Sequence, residues 1–263
     1  MRRFTLLAAL SLAMLANVGA SQQAAQVEPT QVRFVHASPN AMITELELRD
    51  VDGVPAVNVP SFTDLAYLSA TPYVPVAEGN YEVLLRLARG DGAPSAEVVL
   101  PQSFGVVEGR SYTVAIIGLV VPEVFEEPDE GFLAWLQDLF TAAPHDPTLR
   151  ALILDGVWET PVPPDEVDVR IAHAAPGTES IDLVIAHVND TDGVLATVSY
   201  AEVSGYSTMS PRAGTLEIRL TDSAVVVVDL AGYEVTPGTR YTIMLTGTPI
   251  EDVPLRVLML PDD

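Results

Sequence analysis

"VRFVHASPN" (residues 32–40) returns, slightly altered, as "VRIAHAAPG" (residues 169–177), with a histidine at the same place in both. In the first copy Val32, Phe34 and His36 alternate with Arg33 and Val35, the period of a β-strand with one apolar face. The stretch decides the fold because the correspondence continues outward in the same order. "AEGNYEVLLRL" (77–87) answers "RAGTLEIRLTD" (212–222), and "VEGRSYTVAIIGLV" (107–120) answers "TPGTRYTIMLTGT" (236–248). "TLRALILDG" (148–156) answers "PLRVLMLPD" (254–262). An ordered set of matches is a tandem duplication.

Each copy is a run of short β-branched or leucine-rich segments bounded by Gly, Pro or Asp turns, such as "ELELRD", "NYEVLLRLA" and "SYTVAIIGLV". The expected fold is all-β: two tandem Ig-like antiparallel β-sandwiches, residues 31–156 and 168–263, that superpose as copies. Between them "VWETPVPPDEV" (157–167) reads as a Pro- and acid-rich linker. Gly109 and Gly238 precede Tyr112 and Tyr241 by three residues at the mouth of a strand, where a tyrosine hydrogen-bonds back across the corner between sheets.

One difference separates the copies. The first carries extra residues at about 119–147, including "DEGFLAWLQDLFTAA" (129–143). Phe132, Leu133, Trp135, Leu136, Leu139 and Phe140 fall at helical spacing, and acids occupy the first turn, where the helix dipole favours them. This predicts a short helical insertion over 130–141 with Trp135 and Leu139 buried. Trp135, Phe132 and Phe140 are the alternative partner surface.

Arg2 and Arg3, the apolar "FTLLAALSLAMLA" and the small residues Val18, Gly19 and Ala20 read as a signal peptide, residues 1–20, with cleavage expected after Ala20 and a retained N-terminal anchor as the alternative. Residues 21–30 make an N-terminal tail. The mature chain is expected to be secreted or periplasmic and not inserted in a membrane, since no other segment is long and apolar enough to span one. There is no cysteine, so stability must come from burial alone. Thirteen basic residues, all arginine, stand against 36 acids, a formal charge of −23. Such a surface repels phosphate backbones, which disfavours nucleic acid as a partner. The acid coat suits solubility of an apolar sequence.

The opening motif, an alternating strand ending in "DG", then "AEGNYEV", "EGRSYTV" and "LRALIL", resembles the exported bacterial β-sandwich repeats catalogued as domain of unknown function 4397. The resemblance covers nearly all of the chain after residue 30. Asn40 and Gly177 stand where that family usually has aspartate, which argues against a metal role there. The resemblance implies an envelope or extracellular module and brings no activity with it.

His36 and His173 lie on the apolar side of their strands and are expected to be duplicated core residues bonded to the backbone of the turn that follows. His145 and His187 have no counterparts at matching positions, so no repeated metal-ligand set forms. "HVNDTDG" (187–193) and "DVDG" (50–53) lack the acids of a calcium loop and fit Asx-Gly hairpin turns. No cysteine, G-x-S-x-G elbow or glycine-rich phosphate loop is present, so catalytic residues, cofactor and metal are all expected to be none. Arg33/Arg170 and Arg150/Arg256 recur, with salt bridges to acids on the outer face as their expected use and an anion-binding groove as the alternative. The expected function is a non-enzymatic scaffold or protein-interaction module whose partner is an envelope protein. The alternative is a glycan- or calcium-binding surface protein using loops at the sandwich ends, with hydrolase as a third class. The oligomeric state is not legible in the sequence.

Overall fold

The computed structural model describes residues 30–88, 95–120, 146–156, 160–187, 192–212, 214–249 and 253–262. The first half carries β1 (Gln31–His36), β2 (Ile43–Asp50), β3 (Phe62–Thr63), β4 (Ser69–Ala70), β5 (Val74–Pro75), β6 (Gly79–Leu87), β7 (Ala96–Val99), β8 (Phe104–Val106), β9 (Ser111–Ile117) and β10 (Arg150–Gly156). The second carries β11 (Val167–His173), β12 (Ile181–Ala186), β13 (Gly193–Val198), β14 (Ser207–Met209), β15 (Thr215–Leu220), β16 (Val226–Asp229), β17 (Arg240–Thr248) and β18 (Val253–Pro261). Among the described residues there is no helix. The helix expected over 130–141, with Phe132, Trp135, Leu139 and Phe140, lies outside the described residues.

Among the described residues, strands of one half pair only with each other. The first half has one sheet of order β10-β9-β1-β4, with β5 also on β1, and another of order β3-β2-β6-β7, with β8 on β6. The second half repeats this as β14-β11-β17-β18 and β13-β12-β15-β16. In both, the central ladder is parallel: β1 runs with β9, Val32 opposite Tyr112, and β11 runs with β17, Val169 opposite Tyr241. This corrects the wholly antiparallel arrangement expected from the sequence. Parallel neighbours need a long crossover rather than a hairpin, and here the chain leaves for the other sheet between the two strands.

Burial shows why the two kinds of strand read so differently. In the outer sheet β2 alternates, with Leu46 and Leu48 buried and the charged residues between them partly exposed. In the inner sheets β9, β11 and β17 are buried at every position, the pattern of strands covered on both faces. Val32, Phe34, Val114 and Ile116 pack with Leu46, Val83 and Leu85 of the first half's outer sheet. Val169, Ile171, Ile243 and Leu245 do the same with Leu183 and Ile218 in the second half. The alternate residues Val35, Ala37, Ala115, Ile117, Leu152 and Leu154 meet Ala172, Ala174, Tyr200, Met244 and Leu260. The molecule is therefore four β-layers deep, outer–inner–inner–outer, and its third core lies between the two copies.

Glycine is needed where the last two strands of each copy converge. Gly118 (φ +87°) and Gly247 (φ +101°) are left-handed, and a Cβ would lie 2.3 Å from the Thr148 carbonyl oxygen or 2.4 Å from that of Pro254.

Candidate functional site

Polar groups at the seam between the copies are arranged by the strand registers. Arg33 sits opposite Thr113 on the parallel ladder, and Arg170 opposite Thr242. Each arginine Nε donates to its threonine Oγ1, at 2.9 Å and 2.8 Å. Each guanidinium lies 4.6 Å from the centre of a tyrosine ring, Tyr73 for Arg33 and Tyr206 for Arg170. From there both arginines reach across the seam. Arg33 Nη1 donates to the Pro261 carbonyl at 2.7 Å, and Arg170 Nη1 to the Asp155 carbonyl at 2.9 Å. Asp155 and Pro261 hold corresponding positions on the last strands, so the two contacts are related by a pseudo-two-fold axis.

One residue breaks the symmetry. The first copy ends its last strand on Gly156 where the second has Asp262, which is fully buried. Its Oδ1 takes Arg33 Nη2 at 2.5 Å, while its Oδ2 accepts from Thr242 and Tyr206, both at 2.6 Å, with Arg170 Nη2 3.7 Å away. A single carboxylate thus serves two buried guanidinium groups, supported by hydroxyl donors. Burial pushes the Tyr73 hydroxyl above its ordinary pKa, against the pull of Arg33. At the next register step the copies diverge again. Gln31 donates to Ser111 in the first (3.0 Å), whereas the second has the ion pair Asp168–Arg240 (3.2 Å).

The seam's edges carry the same symmetry. Tyr67 and Tyr200 occupy matching turns, and each ring meets a histidine edge-on, His36 at 5.8 Å and His173 at 5.9 Å between centres. The Tyr67 hydroxyl is 3.2 Å from Thr246 Oγ1, which donates to the Ala37 carbonyl at 2.6 Å. Tyr200 lies beneath Arg150 of the first copy, 6.0 Å from guanidinium to ring centre. Burial pushes its hydroxyl well above the ordinary range.

The histidines themselves are enclosed. His36 is 1% exposed, with Nε2 2.9 Å from the Ala41 carbonyl, and burial holds its pKa below 6.5 despite that bond. His173 is fully buried, with Nε2 3.0 Å from the Glu179 carbonyl and Nδ1 accepting the Ala175 amide. Tyr112 and Tyr241 accept the backbone amides of Val107 and Thr236, both at 3.0 Å. Gly109 and Gly238, at φ +77° and +81°, turn the chain between them.

Of the recurrent arginines, Arg33 and Arg170 are not on an outer face, as the sequence suggested. Each copy covers that face of the other. Arg150 does pair with an acid, Asp146 at 2.6 Å, and Arg256 is exposed. Asp50 Oδ1 accepts the amides of Asp52 and Val54, and Asp192 takes the His187 amide and Arg219, so these acids are committed to local backbone and an arginine. Among the described residues, nowhere do three or more His, Cys, Asp or Glu side chains converge on a metal position. Trp135, Phe132 and Phe140 lie outside the described residues. A cleft of about 390 Å³ opens beside the His36 turn, lined by Asn40, Met42, Asp64 and Tyr67. The Asn40 side chain there is committed to the backbone of Val120, at 2.8 and 3.2 Å.

Sequence reasoning missed Thr113, Thr242, Tyr73, Tyr206 and Asp262. A weak signal existed for the tyrosines: "YLSATPY" (67–73) and "YAEVSGY" (200–206) share a Tyr-x5-Tyr spacing. Their distance to the glycine of the next strand differs between copies, which hides the match.

No curated protein matches the sequence. Among solved structures it is similar to the fimbrial anchor protein Mfa2 from Porphyromonas gingivalis, with 12% identity over 89% of this chain and 97% of that one and a TM-score of 0.21. The family described as Domain of unknown function (DUF4397) matches residues 30–129 and again 141–263. With two matched segments spanning most of its length, the chain belongs to that family and carries two copies of its domain in tandem.

Proposed function

We propose that this chain is an exported, non-catalytic module of the cell envelope or extracellular space, acting as a rigid scaffold or protein-interaction unit. The observation that carries the reading is the use made of the recurrent polar residues. Arg33, Arg170, Thr113, Thr242, Tyr73 and Tyr206 are the groups from which a repeated site would be built; the two arginines reach across to the other copy, and the threonines and tyrosines hold those guanidinium groups from within their own copies. The basic n-region and apolar core at residues 1–20 support export, and the strongly acidic surface supports solubility outside the cell. The Pro- and acid-rich stretch that precedes β11 is the tether between the copies.

A second reading, glycan binding, has one observation behind it: the loop-lined cleft with Asp64 and Tyr67 at its edge. A crosslinking pull-down with the full chain from envelope extract separates the two. A protein captured specifically and not displaced by free sugars supports the scaffold. Release by sugar moves the assignment to the cleft. Turnover of an ester or glycoside substrate by the purified chain overturns the non-catalytic reading.

A further inference from the structure

A two-fold interface is self-complementary: if residue i of one partner touches j of the other, then j touches i. The seam has this property within one chain. Arg33 meets Pro261 while its counterpart Arg170 meets Asp155, the counterpart of Pro261. We propose that the seam is an association face which the second copy carries in self-sufficient form, so that its fitting partner is the second copy of another molecule of this chain.

Charge argues for that partner. Arg33 is satisfied by the Pro261 carbonyl and the Asp262 carboxylate, both supplied by the second copy. Two second copies facing each other would bring together two Arg170 and two Asp262, so each arginine gains the acceptors that Arg33 has now. Thr242 and Tyr206, which hold Asp262, belong to the same copy as that carboxylate and come with it. Two first copies would bury two Arg33 against Gly156, with no carboxylate between them, a costly arrangement. The pairing sets two methionines where the seam now holds one methionine and one alanine. Met244 stands where the first copy has Ala115, and its flexible side chain adapts to a repacked contact. Within the intact chain the first copy already occupies the face, and the tether keeps it there at high effective concentration.

The test blocks one face at a time in the full chain. Ala115 points into the seam, while its neighbours Val114 and Ile116 point into the first copy's own core, so Ala115→Arg obstructs the first copy's face and spares its fold. The expected result is that Ala115→Arg sediments as a dimer, while Met244→Arg, which obstructs the second copy's face, sediments as a monomer. Adding Asp262→Ala to Ala115→Arg should return the monomer. An Ala115→Arg protein that keeps the parent's circular dichroism and stays monomeric at every concentration overturns the proposal, as does a dimer insensitive to Asp262→Ala. Should Ala115→Arg lose the parent's β spectrum, Leu152→Arg on the same face carries the same two outcomes.

Discussion

Replacing Asp262 with alanine removes from the seam the carboxylate that the first copy lacks. The carboxylate is fully buried and receives Arg33, Thr242 and Tyr206, with Arg170 close by. The two arginine side chains are only 7% and 5% exposed. Truncation would leave two guanidinium groups buried with only neutral acceptors. Removing one partner of a buried ion pair costs about 3–5 kcal/mol, chiefly because the remaining charge stays desolvated. Whole domains are stable by only about 5–15 kcal/mol, so the loss is a large fraction of an ordinary domain's stability. Each copy has its own core, and the damage falls between them. Urea unfolding followed by far-ultraviolet circular dichroism should therefore show the transition shifting and separating into two. Asp262→Asn keeps the acceptor shape and should lose less. Added salt should change little, since buried charges are weakly screened. A change below about 1 kcal/mol for Asp262→Ala, with an unsplit transition, would refute the reasoning, since that is the scale of exposed ion pairs.

His36→Ala leaves a cavity and an unpaired Ala41 carbonyl, with an expected cost of about 2–4 kcal/mol; metal analysis alongside the melt should find no ion lost. Because burial holds the folded His36 pKa below 6.5, the unfolded chain takes up that proton first as pH falls. Its contribution should be complete above about pH 6.5 and decline below it, and a parent-minus-His36→Leu stability curve that is flat from pH 7 to 5 would contradict this. Gly247→Ala should cost at least about 1–2 kcal/mol from left-handed backbone alone, and more from the contact with the Pro254 carbonyl, read as a lowered urea midpoint.

The two-copy organisation was legible because the duplication preserved short strand motifs in order. The all-β class was legible because those motifs are β-branched and punctuated by turns. The continuous apolar runs of β9 and β17 also held the clue to burial on both faces, but a fully apolar run does not say which second layer covers it. Arg33 and Arg170 therefore looked like outer-face residues, since an arginine between two apolar neighbours is the ordinary mark of a solvated side. Only the packing of one copy on the other reverses that inference. The parallel ladder was hidden for a related reason, because direction between strands far apart in sequence leaves no local trace. Asp262 gave no signal either, lying in an acidic terminal stretch where one more carboxylate is unremarkable.

Why two sheet faces should meet through charges at all can be answered by experiment. Apolar sheet faces bury area without direction, and faces as similar as these could pack in several rotations. The arginine contacts to Pro261 and Asp155 exist in one orientation only, because each guanidinium must reach a single carbonyl on the facing edge strand. The polar centre then contributes orientation more than strength. If so, the triple substitution Arg33→Met, Arg170→Met, Asp262→Leu should match or exceed the parent's stability, as apolar replacements of buried ion networks often do. It should also lose a unique arrangement of the copies, seen as multiple methyl NMR resonances for Ala115, Ala172 and Met244 where the parent shows one set. A triple mutant with one set of resonances and the parent's contacts between copies would show that apolar packing alone fixes the orientation, and the arginines would need another explanation.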